Sequence, residues 1–446
     1  MIGKPQAGLP SGMAGMGDDF PTLPRRDVIL TLAGVMLALF LSALDQTIVA
    51  TALPSIVLDL GGFDRLTWIT TSYLVASTTA VPIAGRLSDM YGRKWFFVIG
   101  IVIFLVGSVL AGLSQSMNQL IVFRAIQGIG GGLMMANAFT TIADIFPPAE
   151  RGKYMGFMTG VFGVAAILGP LLGGLITDGI SWHWIFYVNV PIAIPVLFLF
   201  IKYFPDAHVQ RTEHNIDYLG VLLLISGVVP LLIGLAWADV EYAWGSVQVI
   251  GALAFGTVML IALVWWETKA EEPIIQLQMF KSRLIAVSLF IIFLTGFAMF
   301  GAIIFIPLYF QAVLGASASA SGTFLTPMML GMVFGATISG QALSRLGGHY
   351  RRQGMLGLAV MIAGAVLLTQ ISETTGRLAA TGMIVLFGFG MGTTFPLYTI
   401  AIQNTVPRHM MGIATSSTQF FRSIGGTIGL AIFGSFYGQS LHRWSR

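Results

Sequence analysis

Gly85-Arg86-Leu87-Ser88-Asp89-Met90-Tyr91-Gly92-Arg93-Lys94 is a charged island at the seam between two apolar runs, 66–87 and 95–114. A weaker echo, Gly340-Gln341-Ala342-Leu343-Ser344-Arg345-Leu346-Gly347-Gly348, follows 255 residues later, again behind an apolar run. A second pair keeps nearly the same offset. Pro148-Ala149-Glu150-Arg151-Gly152-Lys153-Tyr154-Met155-Gly156 and Pro407-Arg408-His409-Met410-Met411-Gly412 place their last glycines 256 residues apart. Chance makes either match alone, but the agreement of the offsets argues for two homologous halves. Secondary transporters are commonly built this way, with a site near the bilayer midplane between the halves.

The composition requires a membrane. Of 446 residues 56% are hydrophobic and 9% charged, with a mean hydropathy of +0.84. A soluble domain carries about 25% charged residues, and a disordered chain needs low hydrophobicity. Thirteen stretches reach the roughly 20 residues that cross a bilayer core: 28–51, 66–87, 95–114, 118–142, 154–177, 183–203, 217–236, 247–266, 284–312, 319–343, 354–371, 378–401 and 411–436. None alternates with the period of two that barrel strands show.

These spans predict a leader at 1–27, a six-helix bundle at 28–203, a linker with two extra helices at 204–283 and a second bundle at 284–446. The leader lacks a small-residue cleavage site, so the first span reads as a retained helix. With a cytoplasmic N-terminus, seventeen Lys and Arg fall on the inner side and four on the outer, the sense of the positive-inside rule. The remaining two, Arg124 and Arg422, lie inside spans. The expected location is therefore the plasma (inner) membrane, crossed many times. Thirteen spans would leave the C-terminus outside, so either the protein is natively thirteen-helical or the chain stops before a fourteenth helix.

Several functions are excluded. The net charge of +4 is scattered over short loops that face anionic headgroups, which is not a nucleic-acid stripe. Without cysteine there is no disulfide, thiolate zinc site or cysteine nucleophile. The glycine clusters 128–132 and 388–392 sit inside helices, and no phosphate-cradling loop motif exists, which argues against ATP-driven export. The six histidines show no metal spacing. No cofactor is expected, and no catalytic residue.

The islands also carry a family resemblance. Gly85-x-x-x-Asp89-x-x-Gly92-Arg93-Lys94 resembles the loop signature of the major facilitator superfamily. Leu44-Asp45-Gln46-Thr47, continuing to Pro54, resembles the first-helix motif of that family's fourteen-span drug:proton antiporter branch. Arg124-Ala125-Ile126-Gln127-Gly128-x-Gly130 resembles its fourth-helix motif. Gly160 to Gly174, with Gly169-Pro170 and Gly173-Gly174, resembles its antiporter motif of helix five. Trp182-His183-Trp184, followed by Asn189-Val190-Pro191, and Arg422-Ser423-Ile424-Gly425-Gly426 look like the same branch, although His183 stands where the family usually has Arg.

The resemblance implies an all-α polytopic fold of two six-helix bundles plus two central helices. It also implies proton-coupled export of hydrophobic or amphipathic compounds, of the multidrug efflux type, by alternating access. The partners would be a small substrate, protons and the lipid bilayer, with a monomer as the working unit. A lipid or lipid-linked metabolite exporter of the same fold is the alternative. A membrane-embedded enzyme would need a catalytic pair and an aqueous domain, for which no loop is long enough.

Individual residues then acquire competing readings. An ionised Asp45 in an apolar span costs about 2.5–3.5 kcal/mol on insertion scales. It is therefore either a fixed partner of Arg124 or a protonation site coupled to export. Arg124 needs a partner of its own, and Gln127 lies one turn away; the resemblance gives the matching arginine a role in proton transfer. Asp89, Arg93, Lys94, Asp144 and Arg151, shaped by Gly85 and Gly92, are either solvated loop charge or an inner latch in which Asp89 and Asp144 hold Arg93. Gly160, Gly169, Pro170, Gly173 and Gly174 permit close packing, or, as the resemblance implies, form a flexing interface between the halves. Candidates for the substrate cavity are Gln46, Tyr73, Gln127, Asn137, Phe297, Tyr309, Gln311, Tyr398 and Gln419, joined by Arg422, which either supports the last helices or touches substrate.

Overall fold

The computed structural model describes residues 24–204, 215–312, 325–345, 350–372 and 375–444. Residues 1–23 of the expected leader lie outside that set, as do the side chains of Gln311 and Arg345.

Among the described residues thirteen long helices fall on the thirteen predicted stretches, and no β-strand occurs. They are α1 (Arg25–Leu60), α2 (Leu66–Tyr91), α3 (Arg93–Gly112), α4 (Met117–Ile145) and α5 (Pro148–Gly179), followed by α6 (Trp184–Tyr203). The two central helices are α7 (Tyr218–Trp237) and α8 (Val247–Glu267). The second half contributes α9 (Arg283–Ala312), α10 (Leu325–Arg345), α11 (Tyr350–Leu368), α12 (Arg377–Gln403) and α13 (Met411–Trp444). Local chemistry sets several of the ends. Gly92, with a φ of 93° that an L side chain rarely adopts, separates α2 from α3. Ser116, Asp217 and Ser246 cap α4, α7 and α8 by accepting a backbone N–H of the first turn. The first helix outruns its predicted end at residue 51. Pro54 removes one backbone bond without stopping it, as is usual within membrane helices.

Ten of the helices are long and apolar enough to cross a membrane by length and composition. Those that fall short are α2, α10 and α13, and all three lie at the junction between the halves. Helix α13 packs on α2 and α4, and α10 packs on α5. Their hydroxyl and amide side chains, such as Thr78 and Thr79 of α2 and Thr415 to Gln419 of α13, are buried against protein. Polar residues in a membrane helix face the bundle interior because lipid cannot satisfy them.

Within the first half α4 carries α2 and α3, and α1 carries α5 and α6. Within the second, α12 carries α10 and α11, and α9 packs on α13. The central helices α7 and α8 pair with each other, and α7 leans on α2 and α13.

Candidate coupling and gating site

Among the polar clusters that break the apolar interior of the described residues, one lies in the middle of the first half and one at the basic end of the molecule. The first is centred on Asp45, which α1 places at 0% exposure. Its Oδ2 accepts from Arg124 Nη1 at 2.5 Å, and its Oδ1 accepts from Gln127 Nε2 at 2.8 Å and from Asn189 Nδ2 at 2.9 Å. Arg124, 1% exposed, also donates through Nη1 to Gln127 Oε1 and through Nε to the Ile69 carbonyl. The guanidinium lies 4.5 Å over the Tyr73 ring, and the Tyr73 hydroxyl pairs with Ser42. A buried ion pair holds only when its remaining donors and acceptors are met, and here the Ile69 carbonyl of α2, Gln127 of α4 and Asn189 of α6 meet them.

The two amides differ in their freedom. Gln127 is locked, because Arg124 takes its oxygen while its nitrogen serves Asp45. Asn189 donates to both Asp45 and Ser108 Oγ, yet its own Oδ1 is buried without a partner. It opens the long segment of α6, just past a break at Val188. Ser108 passes the chain on by donating to the Phe186 carbonyl. Asn189 and Ser108 were not among the sequence candidates. Asn189 stands inside the quoted Trp182–Pro191 motif, so the signal was present, but neither residue carries a charge that demands a partner.

The second cluster joins the halves. Arg93 donates to both Asp89 and Asp144 (Nε to Oδ2 at 2.9 Å) and to Ser88 Oγ at 2.7 Å. Asp89 also accepts the backbone N–H groups of Gly412 at 2.8 Å and Ile413 at 2.9 Å, across to α13. Burial pushes the Asp89 carboxyl above its ordinary range, opposed by Arg93 and by those two N–H donors. Arg151 ties the next loop down by donating to the carbonyls of Phe146 and Ala143 and to Asn404 Oδ1 at 2.6 Å. Gly85 packs on Gly412 and Ser416, and Gly152 on Gly340, where a Cβ on either member of the latter pair would run into the other's carbonyl oxygen. Lys94 is half-buried in the first turn of α3. The two halves are therefore sealed together at this end.

The glycines of α5 divide by face. Gly160 and Gly163 lie against Val333 of α10, in the other half, whereas Gly169 and Gly173 press on Thr47 and Thr51 of α1. Thr47 Oγ1 lies 3.1 Å from the Ala165 carbonyl, a polar contact between α1 and α5. Pro170 lies within α5, and Gly174 faces open space.

The expected cavity residues do not converge on one place. Tyr73 and Gln127 belong to the Asp45 cluster. Gln46 and Asn137 turn back onto their own helices, donating to the Ser42 and Leu133 carbonyls. Tyr309 donates to the Ile371 carbonyl, Phe297 packs on Phe433, and Tyr398 lies beside Gly354. Gln419 and Arg422 form a pair, with Arg422 Nη1 donating to Gln419 Oε1 at 2.9 Å. Among the described residues no cluster of side chains is suited to hold a metal.

The family model described as Major Facilitator Superfamily matches residues 35–430. The chain belongs to the Major Facilitator Superfamily. It is 43% identical over 417 residues to "Multidrug resistance protein 3" of Bacillus subtilis (strain 168), covering 94% of this chain and 81% of that protein. It is 42% identical over 406 residues to "Multidrug transporter protein MdtP" of the same organism, covering 91% and 74%. Two solved structures share the superfamily fold: the human organic anion transporter MFSD10, at a TM-score of 0.67 and 15% identity over 92% of this chain and 93% of that one, and the proton:xylose symporter XylE, at 0.61 and 16% over 94% and 90%. This superfamily member is a multi-pass membrane transporter and not an enzyme.

Proposed function

We propose that the chain is a proton-coupled antiporter that exports hydrophobic or amphipathic compounds by alternating access. In this reading its basic end and N-terminus face the cytoplasm across the plasma membrane. One observation carries the reading: a fully buried carboxylate in the first membrane helix, held by a cation and two amides from other helices. An ionised Asp45 has a reason to bind Arg124, Gln127 and Asn189; a neutral one loses the charge that holds Arg124. Proton gain and loss therefore change how firmly α1 is held to α4 and α6. The consequence reaches the other half because α1 is fastened to α5, and α5 packs on α10. The sealed basic end corresponds to the form open to the outside. The cargo class rests on the likeness to the two multidrug transporters of Bacillus subtilis, together with the apolar interior.

The test is uphill transport by purified protein in liposomes under an imposed pH gradient, with ethidium as the probe. Wild type should accumulate it, and Asp45→Asn should lower the rate about tenfold or more, the effect of roughly 1.4 kcal/mol or above. Unchanged uphill transport in the variant overturns the reading.

A further inference from the structure

Among the described residues the interior holds two Arg–Gln pairs of the same design, and only one of them has an anion. In the first, Arg124 Nη1 donates to Gln127 Oε1, three residues on, and the amide nitrogen so oriented donates to Asp45 Oδ1 while the guanidinium takes Oδ2. In the second, Arg422 Nη1 donates to Gln419 Oε1, three residues back, which orients that amide in the same way, yet Gln419 Nε2 has no partner. Each guanidinium lies over an aromatic ring, Tyr73 at 4.5 Å and Phe395 at 3.7 Å. Arg422 is 5% exposed and Gln419 4%, and no carboxylate among the described residues pairs with Arg422. A buried cation without a counter-ion is costly, and a buried donor without an acceptor adds to that cost.

The location suits cargo. Phe395, on which Arg422 stacks, is itself in ring contact with Phe139 of α4, in the first half, with centroids 6.0 Å apart. The pair therefore stands where the two halves meet, which is where secondary transporters place their substrate.

We infer that Arg422 and Gln419 form a receptor for a carboxylate borne by the cargo, held as the first pair holds Asp45. One oxygen would take the guanidinium and the other the Gln419 amide, so the transported class includes amphipathic organic acids. The inference rests on the exporter reading above, whose cargo class it narrows.

Equilibrium binding tests it without any proton gradient. Purified protein in phosphatidylcholine nanodiscs is titrated with 9-anthracenecarboxylate and with its methyl ester. The acid should bind about tenfold tighter than the ester, the difference that one charge-assisted contact produces. Gln419→Glu supplies an internal carboxylate to Arg422 and should abolish the preference while keeping the protein folded, and Arg422→Gln should abolish it as well. A preference that is absent in wild type, or that persists in Gln419→Glu, overturns the proposal. Displacement of the probe by acetate at the probe's own concentration, or by phosphatidylglycerol in the disc, also overturns it, because the anion would then be free or lipidic. Failure of the exporter reading appears as uphill ethidium transport surviving in Asp45→Asn, whereas failure of this inference appears as equal binding of acid and ester.

Discussion

Asp89, at the end of α2, accepts the backbone N–H of Gly412, at the start of α13, so an acid of one half caps the first turn of a helix in the other. The N-terminal turn of a helix carries unpaired N–H groups and partial positive charge. Arg93 holds the same carboxylate from behind. The contact is therefore a charge-assisted tie across the interface that must part if the basic end is to open.

Asp89→Asn should loosen that tie. Hydrogen bonds to a charged group contribute about 1.5–3 kcal/mol, enough to shift a two-state balance roughly tenfold or more. The chain has no cysteine, so spin labels at Trp95→Cys and His409→Cys, both exposed, report the distance across the basic end. The variant should show a larger share of long distances; an unchanged distribution counts against the latch. Acid should act in the same direction. The folded-state value of Asp89 is raised, so its charge is lost at a higher pH than that of an exposed carboxylate, and the tie weakens as pH falls through that value.

Gly152 and Gly340 give a second, steric handle on the same end. The two backbones approach so closely that any side chain must push α5 off α10. Overpacking of this kind costs about 1–3 kcal/mol. Gly152→Val should lengthen the distances between labels on the two halves without touching any charge. If the labelled pair reads as wild type, the backbone contact is not what closes the gate.

Much of this was legible in the sequence, for physical reasons. Apolar runs near 20 residues have few alternatives to a membrane helix, and the 255-residue echo exposes the two halves. A cation and an acid inside spans each need a partner, which points Asp45 toward Arg124 across 79 positions. What stayed hidden is neutral or made of backbone. Asn189 and Ser108 reach the carboxylate cluster as ordinary polar residues, without a charge to betray them. The donors that Asp89 finds on Gly412 and Ile413 are N–H groups that every residue carries, so no side chain announces them. The polar side chains of α2 and α13, such as Thr78 and Thr418, face protein, a property that hydropathy alone reads as a weaker span.

Gly169 and Gly173 of α5, which face α1, should behave differently from Gly160, which faces α10 with room to spare. Gly169 abuts Thr47 and Gly173 abuts Thr51 within one half. Gly169→Val should therefore lower stability by ~1–3 kcal/mol and weaken transport through misfolding, seen as a lower melting temperature in detergent. Gly160 has only ordinary contact with Val333 of the opposite half, so Gly160→Ala should leave the melting temperature near wild type. Equal losses for both variants would refute this division of the helix into two faces.

Asn189 has an unpaired oxygen, whereas Gln127 does not. An amide turned about its last bond exchanges donor for acceptor. In the proposed cycle Asn189 donates to the carboxylate of Asp45, as it does here, and would turn to accept from the neutral form, while Gln127 stays fixed by Arg124. Asn189→Leu keeps the volume and removes both roles, so proton-driven uptake should fall about tenfold or more, in line with the 1.5–3 kcal/mol of a charge-assisted bond. Ser108→Ala removes only the neighbouring hydroxyl and should retain most of the rate. Difference infrared spectra between two pH values should show a carboxyl band that disappears in Asp45→Asn and an amide carbonyl band that disappears in Asn189→Leu. A wild-type spectrum with the carboxyl change and no amide change would mean that Asn189 only packs.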